Sequence, residues 1–244
     1  MKAPDDDARG TPYAGIDNLE VLAHAVRYNR FLVDTIVGAA QERGKALDFG
    51  AGTGSLSTMV RDRGFEVACV ETDARLRERL RSQGFRVYDD VALVPDRSYA
   101  FIYTVNVLEH IEDDAGTLRV LLSKLEPGGR CLVYVPALGM LYSSMDRKIG
   151  HYRRYHRAGF VRVATQAGFA VERAEYADSL GFFATLVYKL VGSRQGDLST
   201  ASVRLYDRFV FPMSRVFDRM GCSRVLGKNL VAVIRRPGPT GERA

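Results

Sequence analysis

No run of apolar residues in this chain approaches the roughly 20 that a membrane-spanning helix needs. The opening MKAPDDDARG is acidic where a secretory leader would be basic and then apolar, so a cytoplasmic protein without a transmembrane segment is expected. Cysteine is scarce: Cys69, Cys131 and Cys222 form an odd set without metal-ligand spacing. The first two sit in apolar strand-like runs, where a cysteine packs as a small hydrophobe. A disulfide scaffold is excluded, and reduced structural thiols are expected. Internal repeats and low-complexity tracts are also missing, which removes solenoids and disordered arrays. Neither charge (26%) nor hydrophobic content (46%) is extreme, as in ordinary globular proteins. A chain of 244 residues can bury one good-sized α/β core.

What the chain does contain is a rhythm. A helical pattern covers residues 19–40, and short β-like runs follow at 46–50, 67–71, 85–88, 100–106 and 131–136. Helical stretches separate these runs, the last closing on Pro127-Gly128-Gly129. Apolar strands alternating with helices imply a parallel sheet covered on both faces and wound in right-handed crossovers. Beyond residue 137 the rhythm changes. A basic, tyrosine-rich loop (138–157) leads to a helix near 158–167 and strands at 169–177 and 229–236, and residues 179–224 insert two further helical patterns between those strands. The reading is a single domain over 13–236 between flexible ends at 1–12 and 237–244. The net charge of +6 suits an acidic partner such as nucleic acid, a phosphorylated metabolite or an anionic membrane, although soluble Arg-rich surfaces give the same sign.

The strongest local feature is Asp48-Phe49-Gly50-Ala51-Gly52-Thr53-Gly54, where the first strand ends and a helix begins. Glycines there let the backbone turn sharply and approach a nucleotide-like ligand. The dinucleotide fingerprint would require Gly at position 55, which is Ser55. An acid two residues before the first glycine would repel phosphate, but suits a ligand carrying ammonium and sulfonium charges. Glu71, about 20 residues further on, ends the second strand where a carboxylate receives ribose hydroxyls. Asp90 after the third strand is placed for an adenine amino group, and Asp89 is equally suitable on chemistry alone. Three such residues in order on successive strands share one sheet edge.

These motifs resemble the class I S-adenosylmethionine-dependent methyltransferases over nearly the whole chain. The match runs through D-F-G-A-G-T-G, V-E-T-D (70–73), N-V-L-E-H-I-E-D-D (106–114) and E-P-G-G-R (126–130). A bacterial subgroup carrying M-D-R-K-I-G-H-Y-R-R-Y (145–155) is similar in detail. The resemblance implies a Rossmann-like, seven-stranded sheet with an antiparallel last strand, with a helical insertion before that strand. It implies S-adenosylmethionine as cofactor, with Asp48, Gly50, Ala51 and Gly52 near its methionine moiety and Glu71 on its ribose. Thr72 and Asp90 would flank the adenine, Asn106 would line the cleft, and Tyr28 would close over the cofactor. The N-P-P-[YF] motif of base-directed enzymes is missing at Asn106, which makes a nucleic-acid acceptor unlikely to be the substrate class.

The acceptor side is less sharply written. Histidine has the right pKa to receive an acceptor proton, and His110 and His151 are the catalytic candidates; His24 and His156 read as structural or solvated. A metal at Glu109 and His110 would need a third ligand such as Asp113 or Asp114, and no metal is assigned. Five Lys/Arg lie between Arg147 and Arg157 among tyrosines, which suits an anionic or sugar-like small-molecule acceptor. The equal alternative pairs Arg153 or Arg154 internally with Asp146 or Glu109. Leu180, Phe182, Phe183, Leu186, Val187, Tyr188 and Leu190 of the insertion read first as core packing and second as a lid or a peripheral membrane contact. Competing functions are a non-catalytic binding protein on the same fold, an NAD-type oxidoreductase and an RNA methyltransferase.

Overall fold

In the computed structural model, residues 21, 24–191 and 200–238 are described. Of the expected flexible ends (1–12 and 237–244) and polar linker (193–200), residues 1–12, 239–244 and 193–199 lie outside them. Seven strands form one sheet: β1 (Lys45–Phe49), β2 (Glu66–Val70), β3 (Arg86–Tyr88), β4 (Tyr99–Val105), β5 (Leu125–Pro136), β6 (Ala170–Ala177) and β7 (Asn229–Arg235). Their order is β3-β2-β1-β4-β5-β7-β6. The first five strands run parallel, and β7 lies antiparallel to both β5 and β6, the expected topology.

Helices cover both faces, because strands buried on two sides have apolar side chains pointing both ways. On one face α1 (Val26–Ala39), α2 (Ser55–Arg61) and α3 (Ala74–Ser82) pack Leu32, Ile36, Val60 and Leu80 against Ala46, Phe101 and Tyr134. On the other, α4 (Asp114–Lys124) and α6 (Arg157–Gln166) pack Leu118, Leu121, Phe160 and Ala164 against Leu47, Val133 and Ile234. A short α5 (Ser144–Lys148) lies in the loop after β5. Between β6 and β7 come α7 (Ser179–Val191), α8 (Thr200–Leu205) and α9 (Phe211–Arg219).

Three elements depart from the sequence reading. The described part of the first helix starts at Val26 rather than running through from 19, because Ala25 is non-helical (φ −82°, ψ 72°). Its first turn is instead capped from far away: the Arg27 and Tyr28 N–H groups donate to the buried Asp207 carboxylate at 3.0 and 2.8 Å. Helix N-termini leave such N–H groups without partners inside the helix. The second insertion pattern is not one α-helix, since a π turn (Tyr206–Val210) joins α8 to α9. Pro212 cannot donate to the carbonyl four residues back, and that carbonyl, Arg208 O, accepts from Arg27 Nη1 at 3.1 Å. The Pro-Gly-Gly does not separate α4 from β5. The strand starts at Leu125 directly after α4, and the glycines form a bulge where the β4–β5 register jumps between Tyr99 and Phe101. A Cβ on Gly129 would lie 2.9 Å from the Ala100 and Glu126 carbonyl oxygens.

Candidate active site

The glycine loop leaves β1 at its carboxyl end, the edge where ligands bind in open α/β sheets. It is tied to the neighbouring strand: Gly50 and Ala51 N–H groups donate to Val70 O at 2.9 and 3.2 Å. Gly50 has φ +84°, and a Cβ there would sit 2.3 Å from Val107 Cγ2, so glycine alone lets the loop press against the segment after β4.

Glu71 locks the loop further. Its Oε2 accepts from Gly52 N–H at 2.8 Å, and its Oε1 accepts from the Thr72 and Asp73 N–H groups at 2.8 and 2.9 Å. Three of about four lone-pair sites are thereby filled, so the carboxylate is fixed in place and Oε2 keeps acceptor capacity. Asp90 accepts from Ala92 N–H at 2.7 Å and caps a short turn, while Asp89 is paired with Arg77 and Arg81. The two acids left equal by sequence are thus distinguished by their partners. Asn106 takes a left-handed φ of 54° at the end of β4, and its N–H donates to Tyr134 O at 2.8 Å. Tyr28 reaches in from α1, and its hydroxyl donates to the Tyr134 hydroxyl at 3.0 Å.

Asp48 is buried, and its carboxylate accepts from Ser57 Oγ at 2.6 Å. Burial pushes its pKa up to about 7, against the Ser57 hydrogen bond, which lowers it. A carboxyl raised in the folded state favours folding fully below the unfolded carboxylate range, and loses that contribution as pH rises through about 7. The thermal midpoint of the wild type should therefore fall from pH 5 to pH 8 more steeply than that of Asp48→Asn, by a few degrees. Parallel pH profiles in calorimetry would refute this assignment.

The acceptor candidates converge. His110, in the turn after β4, and His151, in the loop after β5, stack edge to face with ring centroids 4.5 Å apart. Glu109 lies beside them, fully buried, with neither carboxylate oxygen hydrogen-bonded by another residue. Burial raises its pKa to about 8 and lowers that of His110 to about 4, helped by neighbouring His151. His151 Nε2 lies 3.8 Å from Glu109 Oε1, and its Nδ1 is 2.8 Å from Asp146 Oδ1. The third residue beside Glu109 and His110 is therefore His151. Asp113 instead caps α4 through Gly116 N–H, and Asp114 accepts from Tyr155 and pairs with Arg153.

The two central arginines of the basic loop are used internally. Arg154 forks onto Asp146 at 2.9 and 3.1 Å, and Arg153 sits 2.8 Å from Asp114. Asp146 also completes a capping box with Ser143 at the start of α5. This helix was not expected, yet Ser143-Ser144-Met145-Asp146 carries the S-x-x-D signature.

Sequence reasoning missed what the insertion supplies. Tyr206, on the π turn, donates to the Asp178 carboxylate at 2.6 Å, and the Lys228 ammonium lies 5.7 Å from the centre of the Tyr206 ring. Burial above all pushes the Tyr28 phenol up, and the Asp178 and Glu109 charges add to it. No spacing in the chain links residue 28 to residue 206. A separate open groove of about 660 Å³, framed by Arg27, Arg30, Asp34, Glu175, Arg215 and Arg219, shares none of these catalytic candidates.

Comparison with known proteins fits this geometry. In fold, the chain is similar to phosphoethanolamine N-methyltransferase 2 of Haemonchus contortus in complex with S-adenosyl-L-methionine (16% identity, 97% of this chain and 62% of that one, TM-score 0.63). It is similar to an S-adenosylmethionine-dependent methyltransferase from Mesorhizobium loti (15% identity, 82% and 95% covered, TM-score 0.56). It also resembles the [4+2]-cyclase SpnF (16% identity, 86% and 82% covered, TM-score 0.59), so the fold by itself does not fix the reaction. No curated protein matches the chain. A family profile described as a methyltransferase domain matches residues 21–174, well over half of the chain, and the protein belongs to the methyltransferase-domain family.

Proposed function

We propose that this enzyme transfers the methyl group of S-adenosylmethionine to a small polar acceptor, sugar-like or phosphate-bearing and carried on a lipid. The observation that carries the reading is the convergence of the Glu71-locked glycine loop and the Glu109–His110–His151 cluster on one sheet edge. The residues fit the cofactor: Gly50, Ala51 and Gly52 form a cradle beside Asp48, and Glu71 offers a fixed acceptor for the ribose. Thr72 and Asp90 stand at the neighbouring strand ends for the adenine, with Asn106 and Tyr28 over the cleft. When bound, S-adenosylmethionine supplies a methyl group already activated on a sulfonium, so the protein's main task is to align and to exclude water. Tyr28, Tyr134 and Tyr206 do the latter from two sides. Asp146 holds His151 by Nδ1, which leaves Nε2 to receive the acceptor's proton.

The G-H-Y-R-R-Y subgroup assignment is part of this proposal, because His151, Arg154 and Tyr155 of that motif build the acceptor side. A cytoplasmic location is supported by three free cysteines. An RNA acceptor rests on net charge alone, and Arg153 and Arg154 are already paired. Among the described residues no helix is long and apolar enough to cross a membrane.

Calorimetry with S-adenosylmethionine tests the core of the reading. Micromolar binding should weaken by about 10–100-fold in Glu71→Ala, the loss of one charge-assisted hydrogen bond to the ribose. Absence of binding by folded wild type would move a non-catalytic role to the front.

The lipid-borne acceptor is supported by the outer face of the insertion. Leu205, Phe209, Met213, Val216, Phe217 and Met220 are all exposed along α8 and α9, with Arg204, Arg208 and Arg219 exposed beside them. Such a stripe suits the headgroup boundary of an anionic bilayer. The protein should sediment with phosphatidylglycerol vesicles and not with phosphatidylcholine vesicles, and Phe209→Glu with Met213→Glu should abolish this. Concentration-dependent dimerisation through the same residues, without vesicle binding, would reject it.

A further inference from the structure

The cluster of Glu109, His110 and His151 has more than a base in it. One potential ligand atom from each residue lies within 4.8 Å of the other two. The Glu109 side chain is wholly buried, and neither of its oxygens has a hydrogen-bond donor from another residue. A carboxylate placed there without partners is costly unless something positive completes it. His151 cannot complete it well: its Nδ1 is engaged by Asp146 Oδ1 at 2.8 Å, and Nε2 stops 3.8 Å short of Glu109 Oε1.

The surroundings are those of a metal ligand set. An imidazole that ligates through one nitrogen characteristically donates its other N–H to a carboxylate or a backbone carbonyl. Asp146 serves His151 in this way, and the backbone at Ile149 and Gly150 hydrogen-bonds the His110 ring. Two imidazoles and one carboxylate with positions left open is the donor set of catalytic zinc and of related divalent sites. Bonds of about 2.0–2.1 Å place tetrahedral ligand atoms roughly 3.4 Å apart, against a spacing of up to 4.8 Å among these three.

We infer that Glu109, His110 and His151 bind one divalent first-row transition cation through a carboxylate oxygen and two imidazole nitrogens. The binding itself is independent of the methyl-transfer reading. Its use there does rest on that reading: a bound cation would hold an acceptor hydroxyl at an open position and lower its pKa, the proton would leave to solvent, and His151 would serve as a ligand instead of a base.

The test is a titration of chelator-treated full-length protein with Co²⁺ alone, with neither cofactor nor acceptor present. Visible absorption should saturate at one equivalent, and Zn²⁺ should displace the cobalt. The chain has four histidines, and in wild-type NMR spectra recorded with diamagnetic Zn²⁺ the ring signals of His110 and His151 should shift while those of His24 and His156 stay. Glu109→Gln should weaken Co²⁺ binding by at least tenfold, and Asp146→Asn by about 10–100-fold. No saturable binding by wild type, or shifts confined to His24 and His156, would overturn the inference. Undiminished affinity in folded Glu109→Gln would do the same. The wild-type spectra decide the matter even if a variant folds poorly. In that negative case S-adenosylmethionine binding would be untouched, so the methyl-transfer reading would survive the failure.

Discussion

Replacing Asp146 by Ala is expected to cost about 3–5 kcal/mol, the range for removing one partner of a buried ion pair. Asp146 is 1% exposed and is the common partner of Arg154, His151 and Ser143. Its loss strands a guanidinium that is itself only 9% exposed. For a chain of this size the thermal midpoint should drop by about 10 °C, and turnover should fall with it, because His151 loses its orientation. Burial alone would raise the Asp146 pKa, but hydrogen bonds from His151 and Arg154 outweigh it and hold the carboxyl well below the usual range. A depressed carboxyl contributes stability above the unfolded carboxylate pKa, and that contribution is lost only as pH falls through the folded value. The gap between wild type and variant should therefore be full at pH 5–8 and close only in strong acid. Calorimetry across that range checks both statements. A variant within 0.5 kcal/mol of wild type, the range of featureless surface substitutions, would show that the loop is held by other means.

Asp207→Ala should produce the second large effect, about 3 kcal/mol. Two N–H groups at the start of α1 would lose a charged acceptor, each at roughly 1–3 kcal/mol where water cannot replace it. Hydrogen exchange is the informative readout: protection at Arg27 and Tyr28 should fall far more than at Ile36, deep in the same helix. Because Tyr28 leans on Phe211 and Tyr134, affinity for S-adenosylmethionine should weaken too. Unchanged protection at residues 27 and 28 would reject the capping role. Asp207→Asn, which keeps one acceptor oxygen, should recover part of the loss.

These two residues also mark where sequence reasoning stops. The sheet was legible because each strand is a continuous apolar run bounded by turn residues; Asp48, Gly50, Glu71 and Asp90 stood out as candidates because strand ends repeat along the chain, whereas Asn106 was a candidate only through the family resemblance. Such patterns are local, and periodicity reports on them directly. Asp207 caps a helix 180 positions away, and nothing at residue 207 distinguishes it from a solvated helix acid. The pairing of Arg154 with Asp146 was one of two equal alternatives, since an arginine near an aspartate looks the same whether it faces inward or toward a ligand. His110 and His151 were picked singly from strand-end position and charge, but their stacking around Glu109 depends on how the loop after β5 folds back over the turn after β4. The helix break at Ala25 and the π turn before Pro212 belong to the same class, with tertiary partners overriding a good local pattern.

The place of β7 has a consequence for biosynthesis. It stands between β5 and β6 and pairs with both, although it is the last of the seven strands in chain order. Until residues 229–235 emerge, β5 is an open edge of an otherwise complete parallel sheet, and β6 has no partner along either side. An exposed edge of that kind invites pairing with another chain. The nascent enzyme stays open to misassembly until β7 emerges, and insertion of β7 simultaneously closes that edge and recruits β6.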